Sequence, residues 1–144
     1  MRCFLLSLNV DLHMDSTART RERAIAGVTH GLIGYGESVT WEGRHFGFLL
    51  RHTSKIVSYE APKFFCDEMT AGMFKGFRHD HYFTEVAGET LMQDVLRFEA
   101  PLGWLGVLTE KLVLRRYFEG FLRERNAVIK QVVESEEWRK YLVS

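Results

Sequence analysis

At 144 residues the chain is long enough for one domain, 1–144, to bury its own core. Its 19 basic and 19 acidic residues cancel, which excludes the broad positive field that draws proteins to nucleic acid or anionic lipid. Cys3 and Cys66 lack CxxC spacing, so there is neither a disulfide framework nor a thiolate metal motif, and a cytoplasmic location fits best.

The first 14 residues are apolar but broken by Asn9 and Asp11, too short to span a bilayer and not followed by a small-residue cleavage site. The chain therefore reads as soluble and unexported, with no membrane insertion. Phe4, Leu6, Leu8, Val10, Leu12 and Met14 alternate like a strand, yet Phe4, Leu5, Leu8 and Leu12 also fit one helical face. Residues 19–26 suit a helical turn or a loop, and 24–32, rich in Val, Ile, Thr and Gly, suit a strand.

Strands are predicted over 37–45, 48–59, 63–70, 75–85 and 90–98. Pro62 stops the second by removing a ladder donor, and Val86-Ala87-Gly88 turns the fourth into the fifth. Their short connections make them consecutive and antiparallel. After Pro101 the apolar period changes to three and four, through Leu105, Leu108, Leu112, Val113, Phe118, Phe121, Leu122, Val128, Ile129, Val132 and Val133. That spacing predicts a helix of about 30 residues, ~45 Å long, lying on the apolar face of the sheet. The cluster Arg115, Arg116, Arg123 and Arg125, interleaved with Glu119 and Glu124, reads as its solvated face.

On the fourth strand Phe77, His79, His81 and Phe83 share one side, and Arg78, Asp80, Tyr82 and Thr84 the other. Two Phe and two His on one face make neither a plain core nor a plain surface. Apolar walls with a few placed polar groups are what a small-molecule cavity requires. With 46% hydrophobic residues, 11 Phe and 3 Trp, there is apolar surface for both a core and a lined pocket. If strands pair in order, Asp67, on the face of Phe65 and Met69, and Asp94, on the face of Met92, Leu96 and Phe98, point inward near the histidines.

Two His at i and i+2 with a neighbouring carboxylate can hold a metal ion. Neutral histidines hydrogen-bonded to the aspartates in a cavity wall suit the same residues better. Trp41 and His45 share a face and extend that wall; Leu108, Leu112, Phe121 and the Tyr117 hydroxyl face it from the helix. Trp104, with Gly103 and Gly106, sits where a cavity gate would be. His13, His30 and His52 read as surface or capping residues, and the Cys66 face, opposite to Asp67, argues against a thiol nucleophile. No nucleotide fingerprint occurs and no cofactor is implied; Gly34-Tyr35-Gly36 lacks a third glycine.

Several segments together resemble the SRPBCC, or START-like, ligand-binding superfamily, in a bacterial branch of small stand-alone domains. They include His30-Gly31-Leu32-Ile33, Arg44-His45-Phe46-Gly47, Phe65-Cys66-Asp67-Glu68-Met69, Phe77-Arg78-His79-Asp80-His81-Tyr82-Phe83, Thr90-Leu91-Met92-Gln93-Asp94, Ala100-Pro101-Leu102-Gly103 and Leu114-Arg115-Arg116-Tyr117. The resemblance implies an α+β helix-grip fold, in which a curved antiparallel sheet wraps a long C-terminal helix and leaves a cavity between them. It assigns 2–8 and 10–16 to two short helices and leaves the family's opening strand missing, so that either the start site lies too far downstream or an edge strand is absent. It also implies that the protein, a monomer or homodimer, binds a small hydrophobic molecule such as a lipid, isoprenoid or polyketide-like compound. The alternatives are a cyclase or dehydratase using His79 or His81 with Asp67 or Asp94, and a partner-binding domain without a cavity.

Overall fold

The computed structural model describes residues 1–100 and 107–143, with side chains for all of these but 107–111. Two short helices, α1 (Arg2–Ser7) and α2 (Val10–Ser16), come first. Six strands follow: β1 (Arg23–Gly27), β2 (Ser38–His45), β3 (Phe48–Glu60), β4 (Phe64–Ala71), β5 (Gly76–Val86) and β6 (Glu89–Glu99). The long helix α3 (Val107–Glu134), a 3-10 turn (Glu136–Trp138) and α4 (Arg139–Leu142) complete the fold. The strands form one antiparallel sheet in sequence order, with β1 and β6 at its edges. Among the described residues α1 precedes every strand.

The alternating N-terminal run is helical, and the reason it mimics a strand is burial on two sides. Phe4, Leu8 and Val10 pack with Ile33, Val39, Trp41 and Phe65 on the sheet side. Leu6 and Leu12 pack with Ile129 and Val132 of α3. Helices wedged between two layers have no polar face to reveal their period. Asn9 starts α2: its Oδ1 accepts from Leu12 N at 2.9 Å, and its Nδ2 donates to Tyr141 O at 3.0 Å.

Strand β1 is shorter than expected. Gly27, at φ 73°, ends it, and a Cβ there would collide with the Ser38 carbonyl. The chain then leaves the sheet to brace the junction of α1 and α2, where Val10 N donates to Gly31 O at 2.8 Å and Ile33 N to Leu8 O at 3.1 Å. Strands β2 to β6 lie within one residue of their predicted limits. Irregularities in the β1–β2 and β3–β4 ladders bend the sheet, and its concave face receives α3.

The apolar stripe of α3 is rotated at its start from the predicted one. Phe118, Phe121, Leu122, Ile129 and Val132 face inward, whereas Leu112 and Val113 are 55% and 53% exposed. These two sit roughly 120° and 140° around the helix from Phe118, at 3.6 residues per turn. Arg125, expected on the solvated face, lies on the inner line, four residues from both Phe121 and Ile129, and is only 4% exposed. No helix among the described residues is long and apolar enough to cross a membrane.

Candidate functional site

A cavity lies between the inner face of the sheet and α3, with Leu8, Asn9 and Val10 from the α1–α2 junction on its wall. Its volume, counted as the space open to the centre of a water-sized sphere, is about 150 Å³. Of the residues predicted to line it, Trp41, His45, Asp67, Met69, Phe77, His79, His81, Tyr117 and Phe121 do so. Phe83 instead belongs to the packed core with Phe4 and Phe65. Asp94 sits behind the wall, its side chain 5% exposed. Leu112 points to solvent, while the Leu108 side chain and the Gly103, Trp104 and Gly106 gate fall outside the described residues.

One region of the wall is aromatic. Phe77 from β5 and Phe118 from α3 meet Phe74 and Phe98 with ring centroids 5.2–5.8 Å apart. The rest of the wall carries two buried polar groups of residues.

The first group follows from strand register. Asp67 of β4 pairs with His79 of β5, and His81 of β5 pairs with Asp94 of β6, which puts all four on the inner face. His79 Nε2 donates to Asp94 Oδ1 at 2.9 Å, and His81 Nε2 contacts Asp67 Oδ2 at 3.0 Å. His81 Nδ1 is 2.8 Å from Asp94 Oδ1 but misaligned, and makes no hydrogen bond. From α3, Asn126 Nδ2 donates to Asp94 Oδ2, and Arg125 Nη1 stands 3.9 Å from Asp94 Oδ1. Burial disfavours charge on either aspartate, yet the imidazole hydrogen bonds hold both carboxyls below the usual range. Burial, then the neighbouring His81 ring 3.7 Å away, pushes His79 below the ordinary imidazole value. Cys66 belongs to the opposite face, beside Asp80, and burial pushes its thiol up to about 12, far from a thiolate nucleophile.

The second group centres on Glu22, a residue that strand and helix patterns do not mark. A turn at 17–21 is tied to β2 by Arg44 N donating to Thr20 O at 2.7 Å, which presses Glu22 against the sheet. Gly43 makes the space: a Cβ there would lie 2.7 Å from Glu22 Cγ. Glu22 Oε2 accepts from His13 Nε2 at 2.6 Å, and Oε1 lies 3.1 Å from His45 Nε2. His45 Nδ1 lies 2.7 Å from the Tyr117 hydroxyl. Burial opposes the Glu22 charge, but bonds from both histidines hold its carboxyl far below the usual range. An ionised Glu22 places the His45 proton on Nε2, so Nδ1 accepts from Tyr117 O–H and the phenol oxygen remains as an acceptor. His52, beside Trp41 across the β2–β3 ladder, also lines the cavity, and burial lowers its pKa. The His13 ring lies tilted against Trp41, with centroids 4.2 Å apart. Thus His13 and His52 are wall residues, contrary to expectation, whereas His30 is exposed, paired with Asp11 at 3.0 Å.

The architecture is that of a helix-grip protein, a curved antiparallel sheet around a long C-terminal helix with a cavity between them. It superposes on the crystal structure of TTHA0849 from Thermus thermophilus with a TM-score of 0.73 and 13% identity, covering 92% of this chain and 87% of that one. It superposes on the crystal structure of Ara h 8.0201 with a TM-score of 0.62 and 9% identity, covering 90% of this chain and 89% of that one. At such identities the likeness establishes the fold alone. No protein-family model matches the chain, and no curated protein is significantly similar to it.

Proposed function

We propose that the protein binds one small, largely apolar molecule carrying oxygen functions, of lipid, isoprenoid or polyketide type, in the cavity between sheet and α3. The observation that carries this reading is a cavity whose wall joins aromatic surface to two buried polar groups. Protein interiors close around voids wherever packing allows, so a gap this size walled by aromatics is the form of a binding site. The START-like resemblance supports the same reading. The His79, His81 and Asp67 group and the Tyr117 oxygen supply distinct places at which a ligand hydroxyl or carbonyl exchanges hydrogen bonds lost from water. Native mass spectrometry of gently purified protein should find a bound apolar molecule, or one equivalent of an environment-sensitive dye should bind and be displaced by fatty acids or isoprenoids. Empty protein that takes up no dye would refute the reading.

A second reading, proton transfer on the bound molecule, is favoured by the Glu22–His45–Tyr117 chain, in which a buried carboxylate orients an imidazole on a phenol facing the cavity. It predicts that Tyr117→Phe abolishes conversion of polyketone or β-hydroxycarbonyl substrates while dye binding persists. Binding without conversion by the wild type would leave the first reading standing alone.

A further inference from the structure

We propose that Asp67, His79 and His81 form a binding site for one divalent transition cation, with Asp94 orienting both imidazoles from behind. The three side chains offer ligand atoms that all lie within 4.8 Å of one another. The inference goes beyond the apolar-ligand reading and does not depend on it.

The two rings share their partners in a particular way. His81 Nε2 and His79 Nδ1 lie 3.0 and 4.0 Å from a single oxygen, Asp67 Oδ2. Their other nitrogens, His81 Nδ1 and His79 Nε2, lie 2.8 and 2.9 Å from another single oxygen, Asp94 Oδ1. A neutral imidazole has one N–H. With the His79 proton directed to Asp94, His79 Nδ1 is a bare lone pair facing Asp67 and the cavity. On a neutral His81, a proton on Nε2 serves Asp67 and leaves Nδ1 unprotonated 2.8 Å from Asp94 Oδ1, whereas a proton on Nδ1 leaves the Nε2 lone pair 3.0 Å from Asp67 Oδ2. Both arrangements leave like partial charges in contact, and His81 Nδ1, in a side chain 3% exposed, has no hydrogen-bond partner. A cation between His81 Nε2, His79 Nδ1 and Asp67 Oδ2 removes the conflict, because all three then direct lone pairs at a positive centre, His79 Nε2 keeps its bond to Asp94, and a small turn of the His81 ring brings an Nδ1 proton onto the same oxygen.

The dimensions lie within small side-chain shifts of those such an ion requires. In a tetrahedral site, bonds of about 2.0–2.2 Å place neighbouring ligand atoms roughly 3.3–3.6 Å apart. The His81–Asp67 spacing of 3.0 Å must open by a few tenths of an ångström, and the His79–Asp67 spacing of 4.0 Å must close by about half an ångström. Two imidazoles and one carboxylate suit zinc, cobalt or ferrous iron and leave coordination positions open. Those positions face the cavity, because Asp67, His79 and His81 line it while Asp94 does not. Asp94, steadied by Asn126 and Arg125, has the place of the carboxylate that holds a metal-bound histidine from its far nitrogen. Asp67, Asp94 and Arg125 carry a net negative charge, which a dication reverses.

The test uses full-length protein stripped with a chelator, titrated calorimetrically with Zn²⁺ and spectroscopically with Co²⁺. One Zn²⁺ should bind per chain with a Kd tighter than roughly 10 µM, and Co²⁺ should develop visible ligand-field bands. His79→Ala and His81→Ala should each lose binding, Asp94→Asn should weaken it by roughly 10–100-fold, and His30→Ala, at an exposed histidine, should leave it unchanged. If a histidine variant fails to fold, Asp67→Asn, which preserves volume, replaces it, and a Zn²⁺-dependent rise in the melting temperature of the wild type but not of Asp67→Asn supports the site equally. No saturable binding up to about 1 mM, or equal binding by the variants, overturns the proposal. Dye binding by the metal-free protein reports on the apolar-ligand reading separately.

Discussion

Removing the Asp94 carboxylate should be among the most damaging single changes in this protein. In Asp94→Ala, His79 Nε2 and Asn126 Nδ2 lose their acceptor, and the Arg125 guanidinium, with 5% of its side chain exposed, loses the buried charge that faces it. Breaking a buried charge pair by deleting one partner costs about 3–5 kcal/mol, because the survivor remains desolvated. For a chain of this size that is a fall in melting temperature of about 10–20 °C, at roughly 4 °C per kcal/mol. Thermal and urea unfolding followed by circular dichroism would measure it. Replacing both partners, in Asp94→Ala with Arg125→Met, should recover part of the loss, since no buried charge is then stranded. Lys140→Ala, which removes the exposed partner of Asp15, is the control and should leave the melting temperature almost unmoved. An Asp94→Ala protein within about 1 kcal/mol of wild type would refute this expectation and show a network that is solvated rather than buried.

Other parts of the structure give equally definite expectations. Gly43→Ala places a methyl 2.7 Å from Glu22 Cγ and 3.2 Å from His45 Nε2; it should cost about 1–3 kcal/mol and shift the His13 and His45 ring signals in NMR spectra, and unchanged signals would show that Glu22 does not depend on that space. Glu22 and His52 both have folded pKa values below their ordinary 4.5 and 6.5, so the unfolded chain binds protons more readily. Stability should therefore fall as pH drops below about 6.5, as His52 is titrated, and again below about 4.5, as Glu22 is titrated; melting temperatures that stay level from pH 7 to 3 would contradict both. Leu112→Lys should change stability by no more than about 0.5 kcal/mol, whereas Ile129→Ala, in the core, should cost about 2–5 kcal/mol. Comparable effects of the two would place the helical stripe where the sequence pattern had put it.

The sheet is legible in the sequence because its signals are local. Glycine turns punctuate runs of period two, and antiparallel neighbours place Asp67, His79, His81 and Asp94 on one face by register alone. The N-terminal helices are not legible from period, because they bury residues toward both the sheet and α3. Arg125 hides within a charged run although its spacing from Phe121 and Ile129 marks it as inward, and weighing that spacing above charge would have found it. Glu22 follows a turn and His13 sits on a two-sided helix, so only the tertiary tie from Thr20 to Arg44 brings them to His45 and Tyr117. The phase error at Leu112 and Val113 has a similar origin, since the start of α3 carries apolar residues on more than one side.

The claim on which the functional reading depends is that the space between sheet and α3 accepts an apolar ligand, and filling it is the most direct test. Leu122 lines the cavity from the helix, and Leu122→Trp enlarges that side chain without adding charge. Dye titration of wild type and variant, with circular dichroism to establish that both are folded, should show one saturable site in the wild type and loss of at least about tenfold in affinity, 1.4 kcal/mol, in the variant. Equal dye binding by the folded variant, or none by the wild type, would contradict the account.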